Sequence, residues 1–354
     1  MSLKSYLTSL IYTIRLIGYQ DKKTYNVDIL DETYEGFNGE EPPLRIFKPT
    51  DKVVKKTCIM YPGASPYAEE HPAMIMLGKI ISSLGYVVFI PRIPPLKNLN
   101  ISSENIDWFK RAYSEILKRP EAKIDNISIL GLSYGGSLLL KASMDEQFYS
   151  PRPKSIMIYG SPYDLDTCLE YLLSGKINVG SKSYNIKPNP WGIIVLLHNY
   201  LGSINIGYDT SIMRKILNHR IKDEFDQAEN LILTLDTDKQ KTVRAALNAD
   251  RNEEIDRIVK IIVDQCKNQI KEISPKEWCK EVDHKVFIMH GANDSMVPYT
   301  ESLSLYEDIK KSDLFISYLY EHKEISTNKG IFFKIKEINK MIKFFSKFFS
   351  YNGS

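Results

Sequence analysis

Cysteine is scarce in this sequence, and its spacing argues against two kinds of site. The 354 residues include four cysteines, Cys58, Cys168, Cys266 and Cys279, and no two of them form a C-x-x-C pair. A structural zinc site or a disulfide framework is indicated by closely spaced or regularly paired cysteines. We therefore expect neither, and we predict an activity that needs no metal or other cofactor.

An excess of charge of one sign is also lacking. Lysine and arginine number 47 against 44 aspartates and glutamates, a formal net charge of +3. Because basic and acidic residues are nearly equal in number, there is no electrostatic reason to expect nucleic acid or an acidic protein as a partner. The hydrophobic fraction of 43% is ordinary and allows a sizeable core, in one large domain with an insertion or in two smaller domains.

Long hydrophobic runs are absent from the N-terminus, MSLKSYLTSLIYTIRLIGYQ. No small-residue cleavage site follows it, so neither a signal peptide nor a spanning helix is predicted, and we expect a cytoplasmic protein. The apolar run is interrupted by five polar residues, Lys4, Thr8, Ser9, Thr13 and Arg15.

Residues 1–20 instead predict an amphipathic helix, because apolar residues recur at helical spacing. We expect this stripe to pack on the body of the protein or on a second subunit, which would make a homo-oligomer possible. The alternative is a helix that lies on a membrane surface. The stripe consists of Leu3, Leu7, Leu10, Ile14 and Ile17.

Short apolar runs then alternate with helical patterns. Residues 24–49 read as a pair of strands, and buried strands are predicted at 57–63, 86–92, 126–133 and 155–162, with helices at 71–85, at 104–118 and after residue 134. Continuous apolar runs indicate strands buried on both faces, and intervening helices indicate a parallel sheet. The fold class predicted is α/β, with a doubly wound, mostly parallel sheet.

This pattern stops after the strand at 155–161 and resumes at 285–291 and 314–322, before a final helix. The interrupting residues 163–282 contain helical patterns at 191–201, 211–221, 223–235 and 251–270, and 174–190 is expected to be a loop because Gly, Asn, Ser and Pro are frequent there. We therefore predict one core, residues 21–162 and 283–350, with a helical insertion at 163–282.

The segment GLSYGG places Ser133 between a predicted strand and a predicted helix. A serine hydroxyl acts as a nucleophile only if it is accessible and a base can take its proton. A sharp strand-to-helix turn exposes the hydroxyl, and Gly131 and Gly135 leave room for so tight a turn. Although G-x-S-x-G by itself is weak evidence, this context favours a nucleophile.

Such a serine needs a histidine base and a carboxylate that orients the histidine. His322 follows the last predicted strand, at the edge where open α/β sheets place their sites. Among the other histidines, His290 falls in an apolar run and is expected to be a core residue. Asp294 follows the strand at 285–291 and is the preferred carboxylate, with Asp164 as the alternative.

These motifs resemble the α/β-hydrolase fold superfamily, in which GLSYGG corresponds to the nucleophile elbow and HGANDSMVP to the segment that carries the acid. The order Ser133, Asp294, His322 is also that of the superfamily. The resemblance implies a cap or lid for the helical insertion. It also implies an oxyanion hole formed by the backbone N–H groups of Tyr134 and Ala64, or of Ser65 in place of Ala64.

The resemblance implies a serine esterase or lipase that acts on a small-molecule acyl ester or thioester. Two alternatives stay open, an acyltransferase with the same triad and an inactive binding module. The final helix carries an apolar stripe flanked by lysines, which we expect to pack on the sheet. Peripheral membrane contact is the alternative for this helix too. Its stripe consists of Ile331, Ile335, Ile338, Ile342, Phe345 and Phe349.

Overall fold

The computed structural model describes residues 2–20, 25–319 and 330–353. The strands are β1 Val27–Thr33, β2 Pro43–Pro49, β3 Lys56–Tyr61, β4 Tyr86–Pro91, β5 Ile127–Leu132, β6 Ser155–Tyr159, β7 Lys176–Val179, β8 Lys182–Asn185, β9 Val286–Gly291 and β10 Ser312–Ser317. The helices are α1 Leu3–Ile17, α2 Pro72–Ser82, α3 Pro94–Lys97, α4 Glu104–Leu117, α5 Tyr134–Ala142, α6 Leu165–Ser174, α7 Pro190–Tyr200, α8 Ser211–Ile221, α9 Phe225–Ile232, α10 Thr237–Asn248, α11 Glu253–Gln265, α12 Lys267–Ile273, α13 Thr300–Asp308 and α14 Ile331–Tyr351.

The main sheet confirms the predicted fold class. Its eight strands within the described residues have the order β1-β2-β4-β3-β5-β6-β9-β10. Strands β4, β3, β5, β6, β9 and β10 are parallel to one another, whereas β2 pairs antiparallel with both β1 and β4. The carboxyl ends of the six parallel strands therefore meet at one edge of the sheet, which we call the C-terminal edge.

Both faces of the sheet are covered by helices. On one face, α4 and α5 pack against the central strands, and the ring of Phe109 stacks on that of Tyr61 with 4.3 Å between centroids. On the other face lie α1, α2 and α14, where Phe348 packs edge-on against Phe287. Burying one such aromatic side chain stabilises the fold by about 2–3 kcal/mol. These two apolar layers hold the sheet rigid beneath its C-terminal edge.

A largely helical segment, residues 160–285, is inserted between β6 and β9, which are neighbours in the sheet. It contains α6 to α12 and supplies most of a second hydrophobic cluster, which also includes Ala292 and Tyr299 of the core. The expectation of a loop at 174–190 is wrong, because β7 and β8 form an antiparallel hairpin there. All of β8 is exposed, so the hairpin lacks the apolar run by which a buried strand is recognised.

Two helices of the insertion also differ from the sequence pattern. The helix expected over 251–270 is divided at Cys266 into α11 and α12. Helix α10 was not predicted, because its buried residues include the small or polar Thr242, Ala245 and Ala246, which give no apolar stripe.

Helix α1 packs beside α14, but not through its apolar stripe as expected. Ser5, Ser9 and Thr13 are buried, whereas Leu3 and Ile14 are 75% and 60% exposed. The expected packing of α14 on the sheet is confirmed for its second half, while its first turns are exposed. No helix in the described ranges is both long and apolar enough to span a bilayer.

Candidate active site

Ser133 lies at the sharp turn between β5 and α5. Its backbone has φ 52° and ψ −133°, a conformation that costs a non-glycine residue free energy. The turn is fixed by a hydrogen bond of 2.7 Å from the Ser133 N–H to the carbonyl oxygen of Tyr159, at the end of β6. Ser133 is half-buried, and none of the described residues forms a hydrogen bond with its hydroxyl.

Close backbone contacts explain the glycines on either side of Ser133. A Cβ atom on Gly131 would lie 2.7 Å from the Cα atom of Gly136, because the end of β5 and the start of α5 nearly touch. A Cβ atom on Gly135 would lie 2.0 Å from the carbonyl oxygen of Pro62. Neither position can hold a side chain without moving the backbone, so the turn requires both glycines.

The loop after β3, residues 62–71, lies directly beside this turn. A Cβ atom on Gly63 would be 3.1 Å from the Cβ atom of Ser133. In the part of the chain that the structure describes, the backbone N–H groups of Ala64 and Tyr134 donate no hydrogen bond to another protein group. Both amides therefore belong to segments that adjoin Ser133, and both can donate to a ligand.

Charged side chains hold this loop in place, and sequence reasoning missed them. The Arg92 guanidinium, just after β4, binds the carboxylate of Glu69, with Nε donating to Oε2 at 3.0 Å. Glu69 is buried, and the hydrogen bond to it raises the pKa of Arg92 further above its usual range. Lys97 Nζ donates to the carbonyl oxygen of Pro66 at 2.8 Å. No local pattern could have paired these residues, since they lie on different segments.

Asp294 is fully buried in the turn after β9, at the C-terminal edge. Its Oδ1 accepts hydrogen bonds from the backbone N–H groups of Met296 at 2.7 Å and Val297 at 3.0 Å. Its Oδ2 lies 3.4 Å from Nε2 of His290. The carboxylate is thus fixed in orientation by its own turn, at the same edge of the sheet as Ser133.

His290 is a core residue, as predicted. It is fully buried, its Nε2 donates to the carbonyl oxygen of Val297 at 2.9 Å, and its Nδ1 lies 2.7 Å from Oγ of Ser302. The Val297 carbonyl can only accept, so Nε2 carries a proton and both ring nitrogens are engaged. His322, the predicted base, lies outside the described residues.

Asp164, the alternative carboxylate, makes contacts that support the fold. It caps α6 by accepting from the Asp166 N–H at 3.1 Å, and its Oδ2 pairs with Lys276 Nζ at 2.8 Å. Its own N–H donates to the buried Glu301 at 2.8 Å. Burial raises the pKa of Glu301, although hydrogen bonds such as this one oppose the rise. These contacts join the start of the insertion to α13.

The inserted segment contacts the loops around Ser133. Asn199 of α7 accepts from the Ile101 N–H at 3.1 Å and donates to the Leu99 carbonyl oxygen at 2.7 Å. The Ile101 carbonyl in turn accepts from the hydroxyl of Tyr134 at 3.1 Å. Burial raises the pKa of that hydroxyl well above its usual range, so it stays a donor. Helix α7 is therefore linked to the residue that follows Ser133.

The insertion also contacts the other two loops at this edge. The Tyr171 hydroxyl donates to the carbonyl oxygen of Asp294 at 3.0 Å. The Tyr67 hydroxyl, in the loop after β3, donates to the carboxylate of Asp223 at 3.0 Å. The insertion thus contacts the loops after β3 and β9 at the C-terminal edge of the sheet.

No protein-family model matches the sequence, and a search of curated proteins finds no match either. Solved structures do match. A puromycin-hydrolyzing peptidase from Mycobacterium tuberculosis superposes with a TM-score of 0.52 at 11% identity, over 93% of this chain and 40% of that one. The acylaminoacyl peptidase of Pyrococcus horikoshii gives a TM-score of 0.50 at 13% identity, over 93% and 42%. Est1E from Butyrivibrio proteoclasticus gives 0.47 at 10% identity, over 91% and 99%.

The two superpositions with TM-scores of 0.50 and 0.52, together with the eight-stranded, mostly parallel sheet of the described residues, show that the chain has the α/β-hydrolase fold. Identities this low establish the fold and not the activity. This chain also spans less than half the length of the two peptidase chains.

Proposed function

We propose that this protein is a serine hydrolase that cleaves carboxylic esters or thioesters through an acyl-enzyme on Ser133. The observation that carries the proposal is the positive φ of Ser133 at the junction of β5 and α5. Such a conformation costs of order 1–3 kcal/mol, which glycine would avoid. A serine kept there at that cost favours a function for its hydroxyl, and α/β-hydrolases present their nucleophile in such a turn.

In the proposed reaction, His322 takes the proton of Ser133 Oγ as the oxygen attacks the substrate carbonyl carbon. The tetrahedral intermediate then collapses, the C–O or C–S bond breaks, and the leaving alcohol or thiol receives the proton from His322. Water, deprotonated by His322, attacks the acyl-enzyme and releases the carboxylic acid and Ser133. No redox step or cofactor is needed.

Asp294 is proposed to orient His322 and to stabilise its positive charge. Two backbone N–H groups hold its Oδ1, so the carboxylate keeps one orientation without relying on the histidine. The alternative, Asp164, is already paired with Lys276, which makes it the weaker candidate.

The backbone N–H groups of Ala64 and Tyr134 are proposed to bind the oxyanion of the tetrahedral intermediate. The support is that the loop after β3 touches the turn at Ser133 and that α5 begins at Tyr134. Its N-terminal N–H groups and dipole favour negative charge at this position. Removing one such donor costs about 100- to 1000-fold in kcat in enzymes of this kind.

The inserted segment is proposed to act as a cap that covers the acyl group of the substrate. Its contacts through Tyr67, Asn199 and Tyr171 reach the loops around Ser133. Esters and thioesters are preferred because their leaving groups depart more readily than amines. Peptide hydrolysis is the second candidate, favoured by the names of the two peptidase structures with TM-scores of 0.50 and 0.52.

The test is hydrolysis of p-nitrophenyl esters from acetate to laurate, alongside an aminoacyl p-nitroanilide series, by wild type, Ser133→Ala and the control Ser114→Ala. We expect ester hydrolysis that Ser133→Ala lowers by several orders of magnitude and Ser114→Ala leaves unchanged. A fluorophosphonate probe should label wild type and not Ser133→Ala. Equal activity in wild type and Ser133→Ala would refute the nucleophile, and faster anilide than ester cleavage would favour the peptidase.

A further inference from the structure

Helix α1 exposes most of its leucines and isoleucines. A surface helix in water normally buries its apolar face and exposes its polar one. Here Ser5, Ser9 and Thr13 are at most 1% exposed, on a buried face that also carries Tyr12 and Leu16, whereas Leu7 and Ile14 are 48% and 60% exposed. Most of the aliphatic side chains of α1 therefore point away from the protein.

The buried face explains how α1 is held, but not why its other face is apolar. Its small side chains allow a close approach to α14, and Ser9 Oγ donates to the Ile342 carbonyl oxygen at 2.6 Å. The hydroxyl oxygens of Thr13 and Ser346 are buried without a hydrogen-bond partner. Each such group costs about 1–3 kcal/mol. If apolar residues of α1 faced α14 in place of Thr13, part of this cost would disappear. The exposure of these apolar residues therefore favours a binding partner outside the fold.

The first turns of α14 are apolar and exposed as well. Helix α1 packs against α14 where Ser9 contacts Ile342 and Tyr12 contacts Phe345 and Phe349. We call the combined area the terminal-helix surface; it consists of Leu3 (75% exposed), Leu7 (48%), Ile14 (60%), Ile331 (69%), Phe332 (87%) and Ile335 (58%).

Positive charge flanks this surface, and negative charge is nearly absent from its helices. Helix α1 contains Lys4 and Arg15 and no acidic residue. The only acidic residue of α14, Glu337, is 1% exposed and pairs with Lys340 at 2.6 Å. Within the described ranges, Lys336 and Lys343 form no ion pair, and both are exposed. A second copy of the chain would bring a surface of the same sign against this one.

We propose that the terminal-helix surface binds an anionic lipid bilayer, with α1 lying in the plane of the headgroups. Apolar residues on one face with basic residues at its border are the features that hold a helix at such an interface. Glu337, near the start of α14, accepts from the Tyr318 N–H at 3.4 Å, just beyond β10. The end of α14 that carries Ile331 and Phe332 therefore lies at the C-terminal edge, which is also the edge of Ser133. The proposal does not depend on the proposed activity.

The test uses the full chain and sedimentation with vesicles of phosphatidylcholine, with and without phosphatidylserine. The variant Leu7→Ser/Ile14→Ser/Phe332→Ser removes apolar residues from the surface. Its matched control, Val53→Ser/Ile124→Ser/Leu233→Ser, changes residues that are 78%, 46% and 62% exposed elsewhere. All six positions are exposed, so circular dichroism and melting temperature should show both variants folded.

We expect wild type and the control to bind phosphatidylserine vesicles, and the surface variant to bind at least about tenfold more weakly. Lys336→Gln and Lys343→Gln should each weaken binding to these vesicles about fivefold and have no effect on neutral ones. Failure of wild type to bind phosphatidylserine vesicles would overturn the proposal. So would equal binding by the surface variant, or a wild-type dimer that binds no vesicle and that this variant converts to a monomer.

Discussion

Gly135 and the Pro62 carbonyl oxygen are so close that a Cβ atom on residue 135 would lie 2.0 Å from that oxygen. The contact joins the turn that carries Ser133 to the loop that carries Ala64, backbone against backbone. A side chain can rotate away from a clash, but these backbone atoms can separate only if one segment moves. The spacing between the proposed nucleophile and the proposed oxyanion donor therefore depends on the absence of a side chain at position 135.

Gly135→Ala should therefore lower both stability and activity. We expect the loop after β3 to be displaced, which lowers the free energy of unfolding by about 1–3 kcal/mol and kcat by about 100-fold or more. Urea unfolding and ester hydrolysis measure the two effects. Gly330→Ala is the control, because a Cβ atom there meets nothing within 4 Å. A fully active Gly135→Ala would show that this spacing does not matter.

Ser133→Gly should be more stable than wild type although inactive. Glycine adopts the backbone of residue 133 (φ 52°, ψ −133°) without the steric cost that serine bears, and the expected gain is about 1 kcal/mol in the free energy of unfolding. Ser133→Ala keeps the steric cost and should stay close to wild type. Denaturant unfolding of the three proteins decides the matter, and equal stability of the Gly and Ala variants would contradict strain at this position.

Arg92→Met should disturb the loop after β3 from outside the site. The substitution leaves the buried Glu69 carboxylate without its cation, at a cost of about 3 kcal/mol. Because the same loop carries Ala64, kcat should fall more than KM rises. The double variant Arg92→Met/Glu69→Gln removes the unpaired charge and should regain most of the stability. A double variant no more stable than Arg92→Met would show that the ion pair is not the cause.

Stability should fall as the pH is lowered from about 6.5 towards 4, because of His284. Burial lowers the pKa of this histidine to about 4, with the positive charge of Arg152 acting in the same direction. The unfolded chain, with a histidine pKa near 6.5, binds a proton in this range that the folded protein does not. The free energy of unfolding should therefore fall by up to about 3 kcal/mol between pH 6.5 and about pH 4. Below pH 4 this histidine should cause no further change.

Urea unfolding at a series of pH values, for wild type and His284→Gln, isolates this contribution. Glutamine keeps a donor for the Ser143 carbonyl oxygen, which His284 Nε2 contacts at 2.9 Å, but it does not titrate. The difference in stability between the two proteins should change steadily between pH 6.5 and 4. A constant difference would mean that His284 keeps an ordinary pKa in the folded state.

The strands of the parallel sheet and the turn at Ser133 could be predicted from the sequence. Buried parallel strands are continuous apolar runs, and the turn is marked by its glycines. The sequence was misleading for α1, where the predicted apolar stripe lies on the exposed face and the buried face combines serine and threonine with Tyr12 and Leu16. It could not reveal the pairing of Arg92 with Glu69 or of Asn199 with Ile101. Such contacts depend on how separate segments meet, which no local pattern encodes.

The pairing of α1 with α14 also has a consequence for the order of events during biosynthesis. The Ser9–Ile342 hydrogen bond joins residues 333 positions apart, so α1 emerges from the ribosome long before its partner exists. At about 5–20 residues per second, the wait lasts tens of seconds. The cluster under α4 and α5 and the cluster of the insertion can form in that interval, whereas the layer that contains α1 and α14 must be completed last. Pulse-labelling of stalled nascent chains should find α1 unprotected from hydrogen exchange until the α14 sequence has emerged.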